Sequence, residues 1–168
     1  MLPEVMAAQK HAHQAVRSAV PPRLEFLSAS QAAEIVSMAA QIIPSGDSPG
    51  AREAGAIYFI DRALVTFEKD KQKAYTDGLA WLAAQVKERF TGKTSFAELS
   101  DAQQIELLHA IDKSPFFGLL RLHTVMGFLA DPEYGGNRDL VGWKWIGFED
   151  KGAFAPPFGY YDAAAKKE

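Results

Sequence analysis

A chain of 168 residues with 18 basic and 21 acidic side chains, a formal net charge of -3, has the size for one hydrophobic core. That near balance gives it no electrostatic pull toward nucleic acid or an anionic membrane surface. It contains no cysteine, which excludes disulfides, thiol nucleophiles, cysteine-held iron–sulfur clusters and the Cys-x-x-Cys-His haem attachment.

Residues 1–27 read as a loosely attached N-terminal arm, rich in alanine and polar residues and interrupted by Pro21-Pro22. Lys10, His11, His13, Gln14 and Arg17 lie where a signal peptide would carry its apolar region. The first clear helix opens at Ser28, which with Gln31 has the Ser-x-x-Gln form of a capping box. Ala32, Ile35, Val36, Ala39, Ile42 and Ile43 follow at three-and-four spacing, the signature of one apolar helix face. Pro44 and the turn-forming residues 45–50 stop it.

A second helical pattern runs through Ile57, Ile60, Leu64 and Phe67, and a third through Tyr75, Leu79, Leu82, Val86 and Phe90 to an end near Gly92. Ser100 with Gln103 repeats the capping-box form ahead of Ile105, Leu108 and Ile111. Ser114-Pro115 starts the next helix, since proline in a first turn loses no hydrogen bond. That helix carries Phe116, Leu119, Leu120, His123, Gly127 and Phe128 and ends before Asp131-Pro132. Residues 116–130 form the most apolar stretch, but it is too short to cross a bilayer and contains Arg121 and His123. Strand-like alternation is almost absent. The expected fold is all-α: a small bundle of about five or six helices over residues 28–130. A glycine- and aromatic-rich C-terminal loop segment, 131–168, packs on the same domain.

This C-terminal segment carries most of the functional information. Gly135 and Gly136 permit positive φ values or the close approach of another backbone. Asn137 and Asp139 suit a turn that hydrogen-bonds its own main chain, and Arg138 can meet a carboxylate. Trp143 and Trp145 each pair a large apolar face with one N–H donor, as interface anchors do. The same tryptophans also suit a lid over the helical core. Tyr134, Gly135, Gly136, Asn137, Arg138, Asp139, Trp143, Trp145 and Phe148 are therefore the candidate partner-binding residues. No catalytic, cofactor or metal residue is assigned.

Asp131-Pro132-Glu133-Tyr134-Gly135-Gly136-Asn137, followed by Gly142-Trp143-Lys144-Trp145-Ile146-Gly147-Phe148, resembles the signature of the gluconate 2-dehydrogenase subunit 3 family. The N-terminal half is similar to that family's opening block. There Ile42-Ile43-Pro44 leads through Pro49-Gly50-Ala51-Arg52-Glu53-Ala54-Gly55 to Phe59-Ile60-Asp61. Phe116-Phe117 before the signature also matches, so the resemblance covers residues from about 28 to 148.

The resemblance implies a small accessory subunit without a cofactor of its own. Its partner would be a large FAD-dependent dehydrogenase of the glucose–methanol–choline type that oxidises a sugar or sugar acid. A cytochrome c subunit commonly takes the electrons in such complexes. The resemblance also implies a periplasmic location and a role in folding, stability or export of the flavoprotein. No twin arginine precedes an apolar stretch here, and Arg17 stands alone. The expectation is a leader removed or export together with the partner, with the cytoplasm as the alternative. The rival functional reading is a free-standing module that binds a small molecule or peptide through residues 131–148.

The remaining inventory is thin. No Gly-x-Gly-x-x-Gly or nucleophile-elbow sequence occurs. Glu106 and His109 share a helix face at di-iron spacing, but His123 has no acidic residue three positions before it to complete a second copy. Asp131, Glu133, Gly136, Asn137 and Asp139 follow part of a calcium-loop pattern. Gly135 and Gly142, however, occupy places that need side-chain ligands.

Overall fold

Both serine signals at helix starts are realised as reciprocal caps. In the computed structural model, which describes residues 23–150, the Ser28 hydroxyl accepts the Gln31 N–H at 3.3 Å. The Gln31 side chain accepts the Ser28 N–H in return at 3.0 Å. Ser100 and Gln103 make the same exchange at 3.4 and 3.1 Å. Each exchange satisfies two N–H groups that a helix start otherwise leaves unpaired. The Ser114 hydroxyl accepts the Phe117 N–H, with Pro115 in the first turn.

Among the described residues there are six α-helices and no strand. They are α1 (Ala29–Ile42), α2 (Ala56–Val65), α3 (Gln72–Arg89), α4 (Asp101–Ile111), α5 (Pro115–Leu129) and α6 (Val141–Ile146). The chain is an all-α bundle, as the sequence pattern requires.

Helix α5 is the centre of the packing. It lies along α2, its most extensive helix contact, and also touches α1 and α3. The buried face of α3 is the expected set of Tyr75, Leu79, Leu82 and Val86, joined by Gly78. Ile35, Met38, Phe59, Ile60, Leu64, Leu107 and Leu120 fill the same core. Each such side chain contributes about 1.5–3 kcal/mol by leaving water.

Two polar devices set the arrangement of the helices. Glu34 on α1 accepts from the Ser95 hydroxyl at 2.5 Å and the Phe96 N–H at 2.8 Å, holding the short turn Phe96–Glu98 against α1. Asp61 on α2 is buried, and its carboxylate accepts the N–H groups of Glu25, Phe26 and Leu27 at 2.7, 3.1 and 2.8 Å. Residues 25–27, read from the sequence as part of a loose arm, are thus pinned to the core, and Leu27 is buried. The physical reason is a buried anion meeting three consecutive main-chain donors, a pairing no local pattern reveals.

Phe67 also departs from expectation. The second helix stops at Val65, where the Thr66 hydroxyl turns back to the Arg62 carbonyl and the Glu68 N–H closes on Ala63. Phe67 therefore sits beyond the helix end, half exposed, rather than on the buried face.

Candidate functional site

Residues 131–148 are more regular than a loop. Two short 3-10 turns, Pro132–Tyr134 and Arg138–Leu140, lead into α6. Their shape follows from the unfinished end of α5. The last carbonyls of any helix lack intrahelical donors, and this segment supplies them. The Asn137 N–H donates to the Gly127 carbonyl at 2.7 Å, and the Asn137 amide donates to the Ala130 carbonyl at 3.1 Å. The Trp143 indole N–H donates to the Leu129 carbonyl at 2.6 Å. The Asn137 side-chain oxygen then accepts the Gly142 N–H at 2.9 Å and so fixes the start of α6.

Two glycines are required by this clamp. A Cβ on Gly136 would overlap the Gly127 carbonyl, and one on Gly142 would overlap the Phe128 carbonyl. Backbone meets backbone there, so no side-chain rearrangement relieves the clash. The clamp also reaches α2: the Arg138 N–H donates to the Ala54 carbonyl at 2.9 Å, and its guanidinium lies 5.9 Å from the Tyr58 ring centre. Asn137, Asp139 and Leu140 all adopt positive φ.

The nine candidate residues divide accordingly. Gly136 and Asn137 are buried, Asn137 completely, and serve the fold. Gly135 lies against the main chain at Tyr58. Trp143 is half-buried and committed to the end of α5. Trp145, Phe148 and Tyr134 remain exposed, at 57%, 46% and 43% of their surface, and Asp139 is exposed beside them in sequence. Sequence reasoning missed two members of the exposed set. Ile146 is as exposed as Trp145, and Phe67 makes an edge-to-face contact with Tyr134 at 6.0 Å. Phe148 packs against Trp143 at 4.9 Å, so the exposed face of α6 rests on a fixed aromatic base.

Because Trp143 braces the fold, its replacement reads out first as stability. Trp143→Phe keeps most of the ring but leaves the Leu129 carbonyl without its donor. The expected loss is about 1 kcal/mol of unfolding free energy by urea titration. A variant as stable as the parent would show that this bond is replaced by water at no cost.

The metal patterns do not assemble. Glu106 and His109 are exposed on α4. Asp131 accepts the Glu133 N–H, and Asn137 is spent on the clamp. No group of three or more His, Asp or Glu side chains placed to hold a metal occurs among the described residues.

His123 instead belongs to a buried chain of polar groups. Its Nδ1 lies 2.9 Å from the Tyr75 hydroxyl, the two rings stack, and Nε2 points to Glu68 at 3.7 Å. Burial holds the imidazole below its ordinary range, against the opposing pull of Glu68 and aided by the charge of Lys71. The Tyr75 hydroxyl is raised well above its usual range, by burial first and Glu68 second.

The neutral imidazole makes stability depend on pH. The unfolded chain takes up a proton near pH 6.5, but the folded chain does so only at lower pH. This contribution is therefore complete above about pH 6.5 and is lost as pH falls below it. Melting curves at pH 7.5 and 5.5 should diverge less in His123→Gln than in the parent. Equal divergence in both proteins would remove His123 as the cause.

The geometry is that of a helical body with a braced, aromatic outer face, and comparison with known proteins decides whose body it is. A model of the gluconate 2-dehydrogenase subunit 3 family matches residues 29–150. The chain belongs to the gluconate 2-dehydrogenase subunit 3 family. No curated protein and no solved structure shows a significant match. The family match runs from the start of α1 through the clamp and the exposed face of α6. In this subunit 3 chain the signature residues thus do two jobs: Gly136, Asn137, Gly142 and Trp143 close α5, while Tyr134, Trp145 and Phe148 face outward. No helix among the described residues is long and apolar enough to cross a membrane.

Proposed function

We propose that this subunit 3 chain is a non-catalytic accessory subunit that binds and stabilises a large FAD-dependent dehydrogenase of the glucose–methanol–choline type. The partner would hold the flavin and oxidise a sugar or sugar acid, with a cytochrome c completing some complexes. Family membership supplies the dehydrogenase context. The observation that carries the docking role is the exposed set Trp145, Ile146, Phe148 and Tyr134 on a backbone clamped to two helices. Large aromatic anchors held in place before binding lose little entropy on association, which is how hot-spot residues act.

On this reading the flavin belongs to the large subunit, in keeping with the dehydrogenase context that the family supplies. The work of this chain is then mechanical: it shields apolar surface of the flavoprotein while that protein folds, is exported or waits in the periplasm.

Two measurements test the reading. Co-expression should raise the yield of soluble, flavin-loaded dehydrogenase, and an equal yield without this chain would sink the stabilising role. Trp145→Ala should weaken the complex by about 2 kcal/mol, some 30-fold in Kd, with the free chain's unfolding curve unchanged. An unaltered Kd for both Trp145→Ala and Phe148→Ala would move the interface elsewhere on the chain.

A further inference from the structure

Helix α3 is tied to the rest of the bundle by polar groups at one end only. Among the described residues two of its side chains hydrogen-bond outside the helix, and both lie within its first four residues. The Gln72 amide donates to the Leu64 carbonyl at 2.8 Å. The Tyr75 hydroxyl meets His123 Nδ1 on α5 at 2.9 Å, and the Tyr75 ring stacks on the imidazole. Beyond that point the apolar contacts of Leu79, Leu82 and Val86 hold the helix.

The direction of the Tyr75 bond follows from the other side of the imidazole. Nε2 faces the Glu68 carboxylate, which only accepts, so Nε2 carries the proton of the neutral ring. Nδ1 is then the acceptor and the Tyr75 hydroxyl its donor. Nε2 and Glu68 stand 3.7 Å apart, about 0.9 Å more than a charge-assisted hydrogen bond spans. The charged groups acting on the imidazole are Glu68 and Lys71, both in the connection between α2 and α3. Its neighbours one turn away on α5, Leu119, Leu120, Met126 and Gly127, are uncharged.

A second proton on the ring reverses this order. Nδ1 becomes a donor, so the buried Tyr75 hydroxyl has to accept, and its own hydrogen is left unpaired in the core. Nε2 at the same time becomes half of an ion pair with Glu68, whose side chain is partly exposed.

We infer that His123 is an acid-operated latch. Neutral, it ties α5 to α3 through Tyr75; protonated, it shifts its hold to Glu68 and lets α3 part from α5. Release bares the apolar faces of α3 and α5, including Phe116, which packs edge-on against Tyr75. The other helices stay packed. The latch does not depend on where the dehydrogenase docks.

Native-state hydrogen exchange of the full chain at pH 7.5 and 5.0, corrected for intrinsic rates, tests it. A buried neutral histidine lowers protection everywhere as pH falls, because the unfolded chain takes up the proton. The latch adds a loss confined to α3, since the opened form keeps the imidazolium beside Glu68. Protection of α3 should therefore fall about threefold further than that of α1 and α4. His123→Gln should abolish the extra loss. Glu68→Gln, at a partly exposed position, should abolish it too, while NMR still shows His123 titrating. Tyr75→Phe should leave α3 less protected already at pH 7.5. An equal fall in α1, α3 and α4 would show that His123 charges only when the whole chain unfolds, and would overturn the latch. So would an extra loss in α3 that persists in His123→Gln or in Glu68→Gln.

Discussion

Asp61→Ala is expected to cost about 3–4 kcal/mol of unfolding free energy, a large share of the stability of a domain this size. The carboxylate is buried and accepts three successive N–H groups, those of Glu25, Phe26 and Leu27. Alanine leaves all three without an acceptor. Those of Glu25 and Phe26 are half-buried and regain water in part, while the Leu27 donor is buried and regains little. Asp61→Asn keeps one acceptor oxygen but turns an NH2 toward the donors, so it should fall between the parent and alanine. Hydrogen exchange localises the effect: the amides of residues 25–27 should exchange far faster in Asp61→Ala, and those of α4 should follow only the global loss. If amide protection at 25–27 were unchanged, the carboxylate would not be what holds this segment.

Asn137→Ala is expected to cost about 3 kcal/mol, through two losses that act together. The side chain bridges the Ala130 carbonyl and the Gly142 N–H, so its removal orphans one acceptor and one donor at a buried place. Its backbone also sits at φ 45, where asparagine is tolerated and alanine is strained. Asn137→Gly separates the two effects, because glycine relieves the strain but restores neither bond. It should therefore be the milder variant. Urea unfolding measures both, and near-ultraviolet circular dichroism of Trp143 reports whether the clamp has opened. Equal stability of Asn137→Ala and the parent would mean that water replaces the bridge.

These two variants also separate what each part of the signature does. Asn137 variants should weaken dehydrogenase binding only as far as they loosen the platform beneath Trp145 and Phe148. Trp145→Ala should weaken binding and leave the platform intact. A signature read only as a string gives no means of telling those classes apart.

Much of the fold was legible locally. The caps at Ser28, Ser100 and Ser114, the stop at Pro44 and most of the buried faces of α3 and α5 rest on side chains within four residues of one another. Such interactions are written in sequence spacing. On α1, Ala32, Ile35 and Ala39 are buried as expected, but Met38 joins them and Val36, Ile42 and Ile43 are only half-buried. The end of α2 was misjudged because Phe67 keeps the helical period, but the chain turns at Thr66 and the ring finds Tyr134 instead. Nothing within the helix itself distinguishes those outcomes.

The candidate site was legible as a segment and illegible as a set of roles. Composition showed that glycine and aromatic residues concentrate after Pro132, and the family resemblance drew attention to the same stretch. Which tryptophan would be a brace and which would face outward depended on where α5 ends in space, since its open carbonyls capture Trp143. The same holds for Glu68 with His123, 55 positions apart. The sequence by itself determined the five helices before Pro132, the starts at Ser28, Ser100 and Ser114, the absence of cysteine chemistry and the family. Only the tertiary structure decided the pairing of Asp61 with residues 25–27 and the division of labour between Trp143 and Trp145. The reason is physical: helix periodicity and capping act within a few residues, whereas a buried polar group is satisfied by whatever donor the packing brings to it.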